Sequence, residues 1–422
     1  MTDSDLDGYF DEFDRRAQER RARRQNRRRR RRPSRSRRVA VGWLDRRLLT
    51  AAAVGLALVT AVAMALLWPT GSIPRVKTSL PPSRSARVTG LREARCNSGS
   101  PTQCRQMIVS VGHARAAVDL GPVSAAPKVS VGESVRVSLD RVPGPQGHAG
   151  AAVWQFVDID RHESLLWLAG LSVLLAVVVL RWRGLLATLG VVISLLIVTA
   201  FLIPALLAGE PALAVALVAS LAVMFVTLVL TSGLGPQALA AALGIGSTLL
   251  LTALIALLAT AAAHLNGRTD ELSTYLGTVG PGISLQGIVL AGMVIGALGV
   301  LADTAVTQAS AVMSLRHANP DLGPRELYQA SLRIGRDHLS ATIHTLVLAY
   351  VGAALPLLLI TRYSATGLID AVNTQDIAEP IVATLVGCLA LICAVPLTSG
   401  LAAVLVVRVP ASELPDGHAH QH

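Results

Sequence analysis

Residues 185–207 read Leu185-Leu-Ala-Thr-Leu-Gly-Val-Val-Ile-Ser-Leu-Leu-Ile-Val-Thr-Ala-Phe-Leu-Ile-Pro-Ala-Leu-Leu207, a run without one ionisable side chain. A helix rises about 1.5 Å per residue, so about 20 such residues cross the ~30 Å hydrocarbon core of a bilayer. Outward from this run, others of the same kind recur at Leu48–Trp68, Ser164–Leu180, Ala212–Thr231, Ala238–Ala263, Leu285–Ala302, Leu339–Ile360 and Ile381–Val407. They predict a mainly α, polytopic helical membrane bundle of about eight transmembrane helices, with an anchor over 48–68 and a seven-span core over 164–407. A chain that is 52% hydrophobic and only 15% charged, with a mean hydropathy of +0.53, excludes an ordinary soluble globule.

The net charge of +11 belongs almost wholly to one end. Residues 1–47 hold 17 Arg against 8 Asp or Glu, which is +9, so the remaining chain is close to neutral. The stretch Arg15–Arg38, with its unbroken Arg27–Arg32, repels itself and buries nothing, so residues 1–47 read as a disordered cytoplasmic tail. Its place before an apolar run points to anionic lipid of the inner leaflet as its partner, ahead of nucleic acid. The apolar run 48–68 reads as an uncleaved anchor. With the arginines inside, Arg181 and Arg183, and then Arg316, Arg325, Arg333 and Arg336, fall on the cytoplasmic side. Asp270, Glu271, Asp370, Asp376 and Glu379 fall outside, so both termini, including the tail 408–422, are expected in the cytoplasm of a plasma-membrane protein.

Between the anchor and the core, 69–163 is expected to form a small extracytoplasmic β-rich domain. Gln106–Val111, Glu133–Leu139 and Ala151–Ile159 alternate or are β-branched between Gly, Pro and Ser, and Val129–Val137 reads as a hairpin. Cys96 and Cys104 lie on this oxidising side and are candidates for a disulfide, whereas Cys388 and Cys393 read as core residues of the last span. Asp158, Asp160, His162 and Glu163 read as the water boundary of a helix before they read as a metal site, and no metal or cofactor is expected.

Polar chemistry concentrates between the sixth and seventh spans. Gly292, Gly296 and Gly299 give a small-residue face for close helix packing, within the chain or against a second copy. Asp303 follows, with Thr307, Ser310 and Ser314 on its helical face. Asn319-Pro-Asp-Leu-Gly-Pro324 predicts a turn and a restart, hence a helical hairpin whose return strand of sequence carries Arg333, Arg336, Asp337, His344 and Tyr350. Arg333 and Asp337 are spaced to pair. Ionisable groups at membrane depth need partners or water. Asp303 and His344 therefore stand as candidates for a proton or ion path, beside the plainer reading of an interfacial carboxylate and an interhelical hydrogen bond.

Gly296-Ala-Leu-Gly-Val-Leu-Ala-Asp303-Thr-Ala, Asn319-Pro-Asp-Leu, Ile334-Gly-Arg-Asp337 and Thr345-Leu-Val-Leu-Ala-Tyr350-Val-Gly-Ala-Ala-Leu-Pro356 resemble, in this order, the YibE/F family of multi-span membrane proteins. The span arrangement extends the likeness from Arg87 to Val407. The resemblance implies an outside β-rich region, a helical bundle, and a permease whose substrate is undefined. No G-x-S-x-G, H-E-x-x-H, Walker or dinucleotide-type glycine pattern occurs, so the chain is not expected to be an enzyme. Two functions remain: a secondary transporter of an unspecified solute or ion, and a non-catalytic envelope or assembly protein.

Overall fold

The computed structural model describes residues 43–69, 83–95, 103–112, 114–141, 152–233, 235–269, 283–363 and 367–407. Most of the Arg-rich tail, the C-terminal tail from 408, Cys96 and His113 lie outside them. The chain divides at Leu48 into two units, and all of the folded architecture from Leu49 onward belongs to the second.

Helix α1, Trp43–Leu66, carries the anchor. Its Leu56, Ala63 and Met64, with Leu67 just beyond, pack on the main helical core, and Trp68 stacks on Phe201 with ring centroids 5.8 Å apart. Five strands follow: β1 (Arg84–Arg95), β2 (Gln103–Val111), β3 (Ala114–Pro122), β4 (Ser134–Arg141) and β5 (Ala152–Ile159). They close a barrel in the order β1-β2-β3-β5-β4, antiparallel throughout except where β3 meets β5 at Asp119 and Gln155. This is the connectivity of OB-type barrels, five strands closed with one parallel seam. Period-two alternation turns Val88, Met107, Val109, Val118, Val135 and Val137 inward to a fully buried core.

Two strands, Arg84–Arg95 and Ala114–Pro122, carry no alternation that the sequence reading could detect, because Arg, Gly and Ala interrupt it. The expected hairpin over Val129–Val137 is a turn entering a single strand. Gly132 takes φ +96°, Ser130 N–H donates to Glu133 Oε2 at 2.8 Å, and β4 then pairs with β1 and β5 rather than with its own approach. Cys104 is disulfide-bonded; Cys96, its expected partner, lies outside the described residues.

Strand β5 runs into the first core span through Asp158-Ile-Asp-Arg161. Arg161 Nη1 meets Asp158 Oδ2 at 2.7 Å, Asp160 N–H donates to the Ser134 carbonyl at 2.9 Å, and His162 N–H donates to Asp160 Oδ1 at 3.3 Å. The Arg161 hydrogen bond holds the Asp158 carboxyl below its ordinary range, and the hydroxyl of Ser85, then the His162 N–H, do the same for Asp160. Depressed folded-state values mean that this stabilisation is present at neutral pH and is lost as pH falls through them. Hydrogen exchange of β1 and β4 in the full chain, taken relative to the intrinsic rate of an unstructured peptide at the same pH, should therefore accelerate below about pH 4. Asp160→Asn should accelerate it already at pH 7 and flatten the acid response. Identical pH profiles for the two chains would show that the junction does not anchor the barrel.

Among the described residues seven helices are long and apolar enough to cross a membrane: α2 (His162–Leu180), α3 (Trp182–Leu207), α4 (Ala212–Ser232), α5 (Pro236–Ala262), α6 (Leu285–Ala318), α7 (Pro324–Tyr363) and α9 (Gln375–Val406), with a short α8 (Leu368–Asn373) before the last. The described apolar stretch of the anchor, Val54–Leu66, is shorter than this measure. In α3 a π-helical turn over Val198–Leu202 directs Phe201 and Leu202 into the core. Helices α4, α5, α6 and α9 supply most of that core, whose small side chains, among them Ala216, Ala219, Ala240, Ala241, Ala305 and Ala402, let backbones approach closely. Helices α6 and α7, with 34 and 40 residues, run well beyond the apolar segments Leu285–Ala302 and Leu339–Ile360 expected for them. At 1.5 Å per residue they measure about 51 and 60 Å, against ~30 Å of hydrocarbon, so the excess length carries their joined end beyond the apolar stretch.

Candidate functional site: a polar layer behind the α6–α7 hairpin

The hairpin turn forms as its residues dictate. Asn319 N–H closes α6 on the Leu315 carbonyl, Asp321 N–H donates to Asn319 Oδ1 at 3.2 Å, and Gly323 N–H donates to Glu326 Oε2 at 3.1 Å. Pro324 opens α7, where a missing N–H costs nothing. Arg316 Nη1 ties the turn from inside by donating to the Leu322 carbonyl at 2.7 Å. The two helices then run antiparallel, so residues equidistant from the turn face one another.

One such pairing is Gln308 with Gly335. Gln308 is fully buried; its Oε1 accepts from Ser399 Oγ of α9 at 3.0 Å, and its Nε2 has no hydrogen-bond partner. Gly335 lets α7 lie against this amide. A Cβ there would stand 2.9 Å from both Nε2 and Oε1 of Gln308 and 2.6 Å from Val395 Cγ1. Next to Ser399, fully buried Thr398 turns toward α5, where Gly244 makes room: a Cβ there would stand 2.5 Å from Thr398 Oγ1. Thr304, one turn before Gln308 on the same face, is fully buried too. The hydroxyls of Thr304 and Thr398 have no partner, whereas Thr248, Thr252, Thr307 and Thr342 return theirs to the carbonyl four residues back. Unpaired buried polar atoms are costly, by about 1–3 kcal/mol each. Four helices therefore meet on a layer of neutral polar groups with unused hydrogen-bonding capacity.

A titratable pair stands beside this layer. Asp303 Oδ2 lies 4.0 Å from His338 Nε2, with the carboxylate side chain 71% exposed and the imidazole 36% exposed. His338 Nε2 itself is shielded from solvent and makes no hydrogen bond. Asp303 and Thr304 are adjacent on α6, and His338 follows Gly335 by one turn on α7. The charged lip and the buried layer are thus continuous along both helices.

Not every residue singled out in the sequence joins this site. His344 is exposed, its Nδ1 2.7 Å from the Ser340 carbonyl of its own helix. Arg333, Arg336 and Asp337 are exposed, and among the described residues no ion pair joins Asp337 to either arginine. Thr307 donates to the Asp303 carbonyl at 2.8 Å. Half-buried Tyr350 places its hydroxyl where a Cβ on Gly296 would come within 2.9 Å, so Gly296 serves close packing. Gly292 and Gly299 are exposed and nothing lies within 4 Å of where their Cβ atoms would be. Cys388 and Cys393 are free thiols of α9. Among the described residues no group of three or more His, Cys, Asp or Glu side chains could hold a metal ion.

The family model described as YibE/F-like protein matches residues 168–408, from α2 through the end of α9. The chain belongs to the YibE/F family. The match covers the whole helical core and both sides of the polar layer, and it starts after the barrel, so the likeness is confined to the membrane part of this YibE/F-like protein. No curated protein matches the chain, and no solved structure does.

Proposed function

We propose that this YibE/F protein is a secondary permease for a small polar solute or ion, not an enzyme, with both termini in the cytoplasm. The observation that carries the reading is Gln308: a fully buried amide with an unpaired Nε2, where α6 and α7 continue past their apolar stretches and pack on α9, with Thr304 on α6 and Thr398 on α9 also buried and unpaired. Buried in a helical bundle such groups are expensive and mark passage or binding. In this reading the α6–α7 hairpin moves against α5 and α9, opening the polar layer to solute on one side at a time. Asp303 and His338, 4.0 Å apart beside the layer, supply the ionisable groups that couple movement to protons. The solute-binding groups are the Gln308 amide, Ser399, Thr398 and Thr304.

The test is flux in proteoliposomes carrying a pH-sensitive dye, screened against neutral polar solutes, organic anions and inorganic ions under an imposed proton gradient. Wild type should acidify or alkalinise the lumen with one solute class. Asp303→Asn and His338→Gln should each lower coupled proton flux by tenfold or more while solute exchange persists. If no solute class moves protons, and both variants still complement a deletion strain, the permease reading fails and the envelope or assembly role takes its place.

A further inference from the structure

Away from the polar layer, the first turns of α7 and the last turns of α9 enclose an open groove of about 510 Å³. Tyr328, Leu397, Gly400, Leu401 and Val404 form its apolar walls, and Arg325 is the charged residue among those lining it. The helices are antiparallel here, so Arg325 and Pro324 stand at the end where α9 finishes, and Leu397 and Pro396 lie deeper. From Val404 to Pro396 the slot runs for eight residues of helix, about 12 Å. Leu397 and Val404 are substantially exposed, at 38% and 47%. Gly400 opens the floor: a Cβ there would rest 3.8 Å from the Tyr328 ring, in ordinary contact.

We propose that this groove is a binding site for one anionic phospholipid, with an acyl chain in the slot and the phosphate at Arg325. Three features commit it to lipid. Its walls offer no strand edge or hydrogen-bonding backbone for a peptide, since both sides are helices with their bonds made internally. It is open along its length and its α9 wall belongs to the apolar run Ile381–Val407, which suits a flexible chain. Its polar end carries a guanidinium with no carboxylate among the lining residues, and a guanidinium binds a phosphodiester through two parallel hydrogen bonds. Tyr328, one turn after Arg325 on the same face, brings a phenol to the level where aromatic rings sit between headgroup and chain. This site is separate from the attraction of the Arg-rich tail to a charged leaflet, which needs no groove.

Native mass spectrometry of the full-length protein decides it, with phosphatidylglycerol and phosphatidylcholine of identical chains added in equal amounts. The tail is present in every variant and gives a constant background. Wild type should retain one phosphatidylglycerol at least threefold over phosphatidylcholine. Arg325→Gln, at an exposed position, should erase that preference while a lipid of either class remains. Gly400→Leu should fill the slot and remove the retained lipid of both classes, with thermal stability in detergent unchanged. Equal retention in wild type and both variants overturns the proposal. So does a dimer mass that Gly400→Leu abolishes, which would assign the groove to a second copy, and so does competition by free inorganic phosphate without loss of the chain-dependent signal. If Gly400→Leu fails to fold, the Arg325→Gln preference alone carries or sinks the site.

Discussion

Gly335→Val is expected to be strongly damaging, lowering stability by about 3–5 kcal/mol and cutting the yield of folded protein severely. Two costs combine. Even the first added carbon would stand 2.6 Å from Val395 Cγ1 and 2.9 Å from the Gln308 amide, so α7 has to retreat from α9 or the amide has to swing away. Overpacking of this kind costs about 1–3 kcal/mol, and moving the amide breaks the 3.0 Å bond from Ser399, leaving another buried polar atom unpaired. Gly335→Ala separates steric from conformational effects. Alanine is favoured over glycine in a helix by up to about 1 kcal/mol, yet here the clash exceeds that gain and the net effect is loss. At Gly292 and Gly299, where nothing lies within 4 Å of an added Cβ, the same change should be neutral or stabilising. Thermal unfolding of the three alanine variants in one detergent checks the sign reversal. A Gly335→Ala chain as stable as wild type would mean that α7 does not lie against Gln308.

That contrast also shows what a single sequence exposes and what it hides. Membrane spans are legible because the bilayer imposes length and apolarity on each helix separately, so Leu185–Leu207 reveals itself without its neighbours. The hairpin is legible too, because Asn319-Pro-Asp and Pro324 act locally on their own backbone. Close approach is a property of two helices, and spacing on one of them does not report it. Of the G-x-x-x-G pair Gly292 faces open space and Gly296 meets the Tyr350 hydroxyl, while Gly335, isolated among polar residues, lies against Gln308 and Val395. Gln308 is hidden for a related reason: a glutamine in a polar segment looks solvated until α9 is laid across it.

His338 could have been found. Asp303 lies 16 residues before Asn319, and His338 lies 15 after Gly323, so folding the segment about its own turn brings them opposite one another. His344 shares a face of α7 with Asp337 and Ser340, yet its ring is spent on its own helix, at the Ser340 carbonyl. In the barrel, β1 and β3 were hidden because their inward positions include Ala86 and small neighbours rather than a run of large β-branched side chains.

Gln308→Leu should leave the protein as stable as wild type or slightly more stable, while abolishing the proposed solute flux. Leucine removes both the amide that is only half satisfied and its desolvation cost, at nearly matched bulk. Ser399 can then return its hydroxyl to the Val395 carbonyl, as threonines elsewhere in the bundle do. Replacing a buried polar contact by apolar packing is commonly neutral or favourable in stability. Gln308→Ala differs, because it opens a cavity beside Gly335 and Val395 and should cost about 2–4 kcal/mol. The pair of variants therefore divides structure from function. If the polar layer exists to bind what crosses the membrane, the stable leucine variant loses solute flux by at least a hundredfold, and the Ser399→Ala variant, which keeps Gln308, loses less. If flux survives in the leucine variant, the layer is a packing device and the solute path lies elsewhere.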